Sequence, residues 1–115
     1  MESQNIVRIL SYIIHQQMGN TIVLKEDLLR NYIDLENLIV CWVQSGCGSC
    51  KKVIPLLFKL DDKYTVVITD GEIHTQSLQY YPNNIPTYYP SILLFNKGKF
   101  VKVLTTDDIK EIQLY

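Results

Sequence analysis

Leu38-Ile39-Val40-Cys41-Trp42-Val43, followed by Cys47-Gly48-Ser49-Cys50 and Lys51-Lys52-Val53-Ile54-Pro55-Leu56-Leu57-Phe58, is the stretch that decides the fold. Six residues without a charged interruption read as a strand buried on both faces, as in a sheet covered by helices. The run after the second cysteine has helical spacing, so the two cysteines fall on a strand-to-helix turn. At such a turn the first cysteine meets unsatisfied backbone N–H groups and the positive end of the helix dipole, which favour thiolate over thiol. The second lies within reach, so a mixed disulfide at Cys47 can be resolved by Cys50 in a reversible two-electron couple. The same spacing is also half of a zinc site.

The totals bound the rest. The chain has 115 residues, 47% of them hydrophobic, which suits one domain with a real core. Eleven Lys and Arg against twelve Asp and Glu leave a net charge of −1, and the longest basic run is Lys51-Lys52. This argues against a nucleic-acid surface. No apolar stretch approaches the roughly 20 residues of a membrane span, and Met1-Glu2-Ser3-Gln4 is no basic leader, so a soluble, cytoplasmic chain is expected. Three cysteines, an odd number, do not make a disulfide framework.

Working outward, Ile6, Ile9, Leu10, Ile13, Ile14 and Met18 repeat at helical spacing until Gly19-Asn20, predicting an amphipathic first helix that packs on the domain. Thr21 to Leu24 reads as a strand and Glu26 to Ile33 as a helix with Leu28, Leu29, Tyr32 and Ile33 on one face. The helix opened by Cys47 is expected to reach about Leu60, bent at Pro55. A third strand follows over Tyr64 to Ile68, a short helix over Glu72 to Gln79, and a loop from Tyr80 to Pro90. Ser91 to Phe95, the turn Asn96-Lys97-Gly98 and Lys99 to Leu104 form an antiparallel hairpin. Thr105 or Thr106 then caps a last helix through Ile112.

This order of elements resembles the thioredoxin family over roughly residues 21 to 113. Cys47-Gly48-Ser49-Cys50-Lys51 is similar to the family's Cys-Gly-Pro-Cys-Lys with serine for proline. Pro55 falls where the family kinks this helix, and Pro90-Ser91-Ile92-Leu93-Leu94-Phe95-Asn96-Lys97-Gly98 resembles the segment that starts at the family's cis-proline. The fold implied is α/β and thioredoxin-like, a central mixed sheet flanked by helices. Residues 1–115 would form a single domain, with 1–20 an extra N-terminal helix and 21–113 the core. Two departures stand out. Gly46 replaces the family's tryptophan before the first cysteine, and Cys41 stands where many members bury an acid that relays the second cysteine's proton.

The resemblance implies a thiol-disulfide oxidoreductase acting on protein disulfides, with Cys47 attacking and Cys50 resolving. Gly48, Ser49, Tyr89 and Pro90 would shape the substrate groove, with a cis Tyr89-Pro90 bond and the Tyr89 side chain screening substrates. No cofactor beyond the dithiol and no metal would be needed. Electrons would come from a thioredoxin reductase-like donor, and the expected direction is reduction by a monomer, although family potentials span about −270 to −120 mV. The alternative from another class is a non-catalytic thioredoxin-scaffold binding module, and the third a structural zinc protein. Cys41, His15 and His74 are the only further Cys or His residues, and their spacing matches no zinc finger. Cys41 reads as a small buried hydrophobe, and His15 and His74 as solvent-facing. Lys51 and Lys52 are either a wet helix face or a lowering influence on the thiol pKa. Tyr80, Tyr81, Tyr88 and Tyr89 are either core edge or a flat substrate platform.

Overall fold

The computed structural model describes residues 21–60 and 63–113. The helix expected over residues 1–20, with His15, lies outside them. Five strands form one sheet in the order β1-β3-β2-β4-β5: β1 Thr21–Val23, β2 Leu38–Val43, β3 Thr65–Asp70, β4 Ser91–Asn96 and β5 Lys99–Leu104. β1, β3 and β2 run parallel, while β4 is antiparallel to β2 and β5 to β4. Two α-helices are described, α1 Gly48–Leu57 and α2 Thr106–Gln113. No helix among the described residues is long and apolar enough to cross a membrane.

All six residues of β2 are buried, as its uninterrupted apolar run requires of a central strand. The strand period of two divides them between two cores. Ile39, Cys41 and Val43 face α1 and α2 with Cys50, Val53, Ile54, Leu57, Ile68, Ile92 and Ile109. Leu38, Val40 and Trp42 face the opposite side with Leu29, Ile33, Val67, Tyr81, Leu93 and Phe95. That second core is covered by loops and 3-10 turns over Leu29–Asn31, Thr75–Tyr80 and Pro82–Asn84.

Several boundaries differ from the sequence expectation, each for a local reason. The helix expected over Glu26 to Ile33 is only the turn Leu29–Asn31. The Asp27 carboxylate instead accepts the Gln76 and Ser77 N–H groups at 2.7 and 3.0 Å and ties the start of this segment to a distant turn. The helix expected over Glu72 to Gln79 starts only at Thr75, because Asp70 Oδ1 accepts the N–H groups of Glu72 and Ile73 and folds them into a turn. β3 extends to Asp70 because β2 pairs with it to the end, Val43 opposite Asp70. α1 stops at Leu57, and Lys59 and Leu60 donate back three residues, to Leu56 and Leu57. The hairpin is as expected, its two-residue turn Lys97-Gly98 having φ of 51° and 83°. Thr105 caps α2: its Oγ1 accepts the Asp108 N–H at 3.1 Å while Asp108 Oδ2 accepts the Thr105 N–H at 2.9 Å. That backbone bond holds the Asp108 carboxyl below its usual range.

His74 is buried, against the expectation of a solvated residue. Its Nδ1 accepts the Asp70 N–H at 3.3 Å, so the Thr69 hydroxyl at 2.9 Å is a donor to the same atom. The His74 carbonyl accepts the Ser77 hydroxyl at 2.6 Å, and Ser77 Oγ accepts Trp42 Nε1–H at 3.0 Å. A polar chain thus runs through the second core and satisfies the indole N–H. Ser77→Ala should strand that donor and destabilise the fold by about 1–3 kcal/mol, read as a lower urea midpoint with an unchanged slope.

Candidate functional site

β2 leaves the sheet at Val43, and Gln44, Ser45 and Gly46 carry the chain to Cys47. Gly46 has φ of 74° and is exposed, so a side chain there would be strained. The tryptophan that the resemblance would place here would therefore be strained in this turn. Cys47 is the N-cap of α1, extended at φ −87° and ψ 104°, and its sulfur accepts the Cys50 N–H at 3.1 Å. Cys47 and Cys50 are joined in a disulfide with Cα atoms 5.3 Å apart.

The two sulfurs sit in different surroundings. Cys47 is half-buried between exposed Gly46 and Gly48, whereas Cys50 is 1% exposed and belongs to the core under α1. The outer sulfur lies at the positive end of the helix, which has no acid in its first turn. Lys51 and Lys52 are exposed on the same turn. Cys41 shares the core with Cys50 and is fully buried, and burial pushes its thiol up to about 12. At neutral pH it is an uncharged, inert group.

On the other side of the disulfide, the Tyr89-Pro90 peptide bond is cis, as the resemblance implied. Ser91, fully buried, anchors this loop: its hydroxyl donates to the Tyr88 carbonyl and accepts the Tyr81 hydroxyl at 3.1 Å. A cleft of about 300 Å³ lies between Ser49, Tyr88, Tyr89, Pro90, Thr105 and Thr106. The tyrosines divide between the two expected roles. Tyr81 is buried against Trp42, with ring centroids 5.2 Å apart, Tyr80 and Tyr89 are half-buried, and Tyr88 is 51% exposed.

Ser45, Gly71 and Glu72 are the residues that sequence reasoning passed over. Gly71 N–H donates to the Val43 carbonyl at 2.8 Å, joining the ends of β2 and β3. The Tyr89 ring lies on Gly71 so closely that a Cβ there would come within 2.5 Å of the phenol oxygen. Burial, with the charges of Glu72, Asp70 and then Tyr81, raises the Tyr89 pKa. Glu72 Oε1 accepts both the N–H and the hydroxyl of Ser45, each at 3.2 Å. Only the isolated glycine at Gly71 hinted at a close approach. Among the described residues no group of three or more His, Cys, Asp and Glu side chains converges as for a metal.

The thioredoxin family model matches residues 20–113. The chain belongs to the thioredoxin family. The fold is likewise similar to that of the thioredoxin Mala s 13 of Malassezia sympodialis, at 18% identity and a TM-score of 0.65 over 85% of this chain and 89% of that one. Oxidised thioredoxin O2 of Arabidopsis thaliana gives 17% and 0.63, covering 84% and 93%. Reduced thioredoxin of Schistosoma mansoni gives 23% and 0.63, covering 82% and 95%. No curated protein sequence matches significantly. This thioredoxin-family domain thus carries a CxxC disulfide at the helix N-terminus, with Cys41 in the same core as Cys50.

Burial of Cys41 gives a pH dependence of stability. Its thiol ionises near 9 in the unfolded chain and near 12 in the folded core, so its contribution is complete below pH 9 and is lost as pH rises toward 12. Cys41→Val should make the urea midpoint fall less steeply than wild type between about pH 9 and pH 11, and a parallel fall would refute the assignment.

Proposed function

We propose that the protein is a thiol-disulfide oxidoreductase that reduces protein disulfides. The observation that carries this reading is the asymmetry of the pair: an accessible sulfur accepting an N–H at a helix N-terminus, bonded to a sulfur 1% exposed beneath it. The outer sulfur is the one a substrate can reach. The same placement stabilises its thiolate.

In the reduced protein, the Cys47 thiolate attacks one sulfur of a substrate disulfide. A Cys47–substrate disulfide forms, and the other substrate sulfur leaves as a thiolate. Cys50 then loses its proton to water and attacks the Cys47 sulfur. The Cys47–Cys50 disulfide forms, the second substrate thiolate leaves, and two electrons have passed to the substrate. The cleft beside Ser49, Tyr89 and Pro90 would take the polypeptide around the substrate disulfide, with exposed Tyr88 as an aromatic contact at its rim. The dithiol is regenerated by a thioredoxin reductase-like donor, and no further cofactor takes part.

Reduction of insulin by dithiothreitol, followed as turbidity, tests the activity. Acceleration that is lost in Cys47→Ser supports it, and none in the folded wild type would leave only a scaffold for partner binding. Cys50→Ser should accumulate mixed disulfides at Cys47 while Cys47→Ser traps none. In the reduced protein iodoacetamide should modify Cys47 before Cys50 or Cys41, as mapped by mass spectrometry, because Cys47 alone is both accessible and at the helix end.

A further inference from the structure

Nothing in the CxxC motif accounts for how the turn ahead of it is held. Gly46 has a backbone that side chains disfavour, and no atom lies within 4 Å of a Cβ position there. Ser45, directly before it, is 8% exposed, and both its N–H and its hydroxyl donate to Glu72 Oε1. The backbone of the acid is itself held in place. Asp70 Oδ1 accepts the Glu72 N–H at 2.8 Å, Gly71 N–H is bound to the Val43 carbonyl, and the Tyr89 ring closes over Gly71. The exposed Glu72 side chain thus reaches from a fixed backbone to both donors of Ser45.

We propose that Glu72 is a positioning residue for Cys47: by clamping Ser45 it fixes the strand-to-helix turn and so keeps the Cys47 sulfur at the N-terminus of α1. The proposal rests on Cys47 being the attacking thiol. It also separates two opposite effects of one carboxylate. As a negative charge near the turn, Glu72 disfavours the Cys47 thiolate. As a clamp, it favours the thiolate by holding the sulfur where the helix end stabilises it. The sign of the change on removing the side chain decides between them.

The test is the pH dependence of the Cys47 alkylation rate in the reduced, full-length protein, with Glu72→Ala, Glu72→Gln and Ser45→Ala. A glutamine oxygen can accept both Ser45 bonds without the charge. The clamp predicts that Glu72→Ala raises the Cys47 pKa and slows alkylation at pH 7 by roughly three- to tenfold. Glu72→Gln should restore wild-type reactivity or better. Ser45→Ala, which keeps the N–H bond and loses the hydroxyl, should shift the pKa in the same direction by less, and it decides the matter alone if Glu72→Ala does not fold. A lower or unchanged pKa in Glu72→Ala, or one equally raised in Glu72→Gln, overturns the proposal, as does an unchanged pKa in Ser45→Ala. Wild-type protein that fails to exchange reversibly with glutathione would overturn the oxidoreductase reading instead, since the pKa comparison judges the clamp without any turnover.

Discussion

The complete burial of β2 is the constraint on which the rest of the structure depends. A strand with apolar side chains on both faces must have a core above it and another below it, and its backbone groups must be met by strands on both sides. β3 and β4 meet the backbone, α1 and α2 form one layer, and the 3-10 turns with their tyrosines form the other. The chain can leave such a strand only at its end. There a short turn starts α1, and the cysteine pair stands where a buried strand, a helix N-terminus and the solvent meet.

The chemistry of that position comes from contrast more than from any single group. Cys47 has an N–H donor and the helix end, while Cys50 rests on a layer of Ile39, Cys41 and Val43. With an uncharged thiol at Cys41, no charged group lies in that layer among the described residues. The acids at this end of the sheet gather instead where β3 gives way to its loop, and they act on the surface around Tyr89 and on the turn at Ser45. In the proposed reading, Cys47 is the nucleophile and is governed from the rim of the site, by hydrogen bonds and backbone restraint.

The parts that were legible in the sequence are those written in local pattern. The continuous apolar run of β2, the Lys97-Gly98 turn, the Thr105 cap and the spacing of Cys47 and Cys50 each depend on neighbours within a few residues, and each is found where the pattern puts it. The segment over Glu26 to Ile33 carried helical spacing too, and its apolar face does pack, with Leu29 and Ile33 buried, whereas Ile73 in the short polar segment Glu72 to Gln79 is exposed. Neither forms an α-helix, because the Asp27 and Asp70 carboxylates accept other backbone N–H groups.

Sequence by itself determined the sheet's central strand and the strand-to-helix placement of the two cysteines, because periodicity and short spacing translate directly into geometry; the family came from the resemblance of the motifs around Cys47 and Pro90. Only the tertiary structure decided that His74 is a buried link between Thr69, Asp70 and Ser77, that Tyr89 lies on Gly71, and that Glu72 holds Ser45. Those contacts join residues that a sheet crossover and a loop bring together, Ser45 and Glu72 being 27 positions apart. A polar side chain carries no mark of which distant donor it will meet, since its partner is chosen by how the strands pair and where the loops between them close.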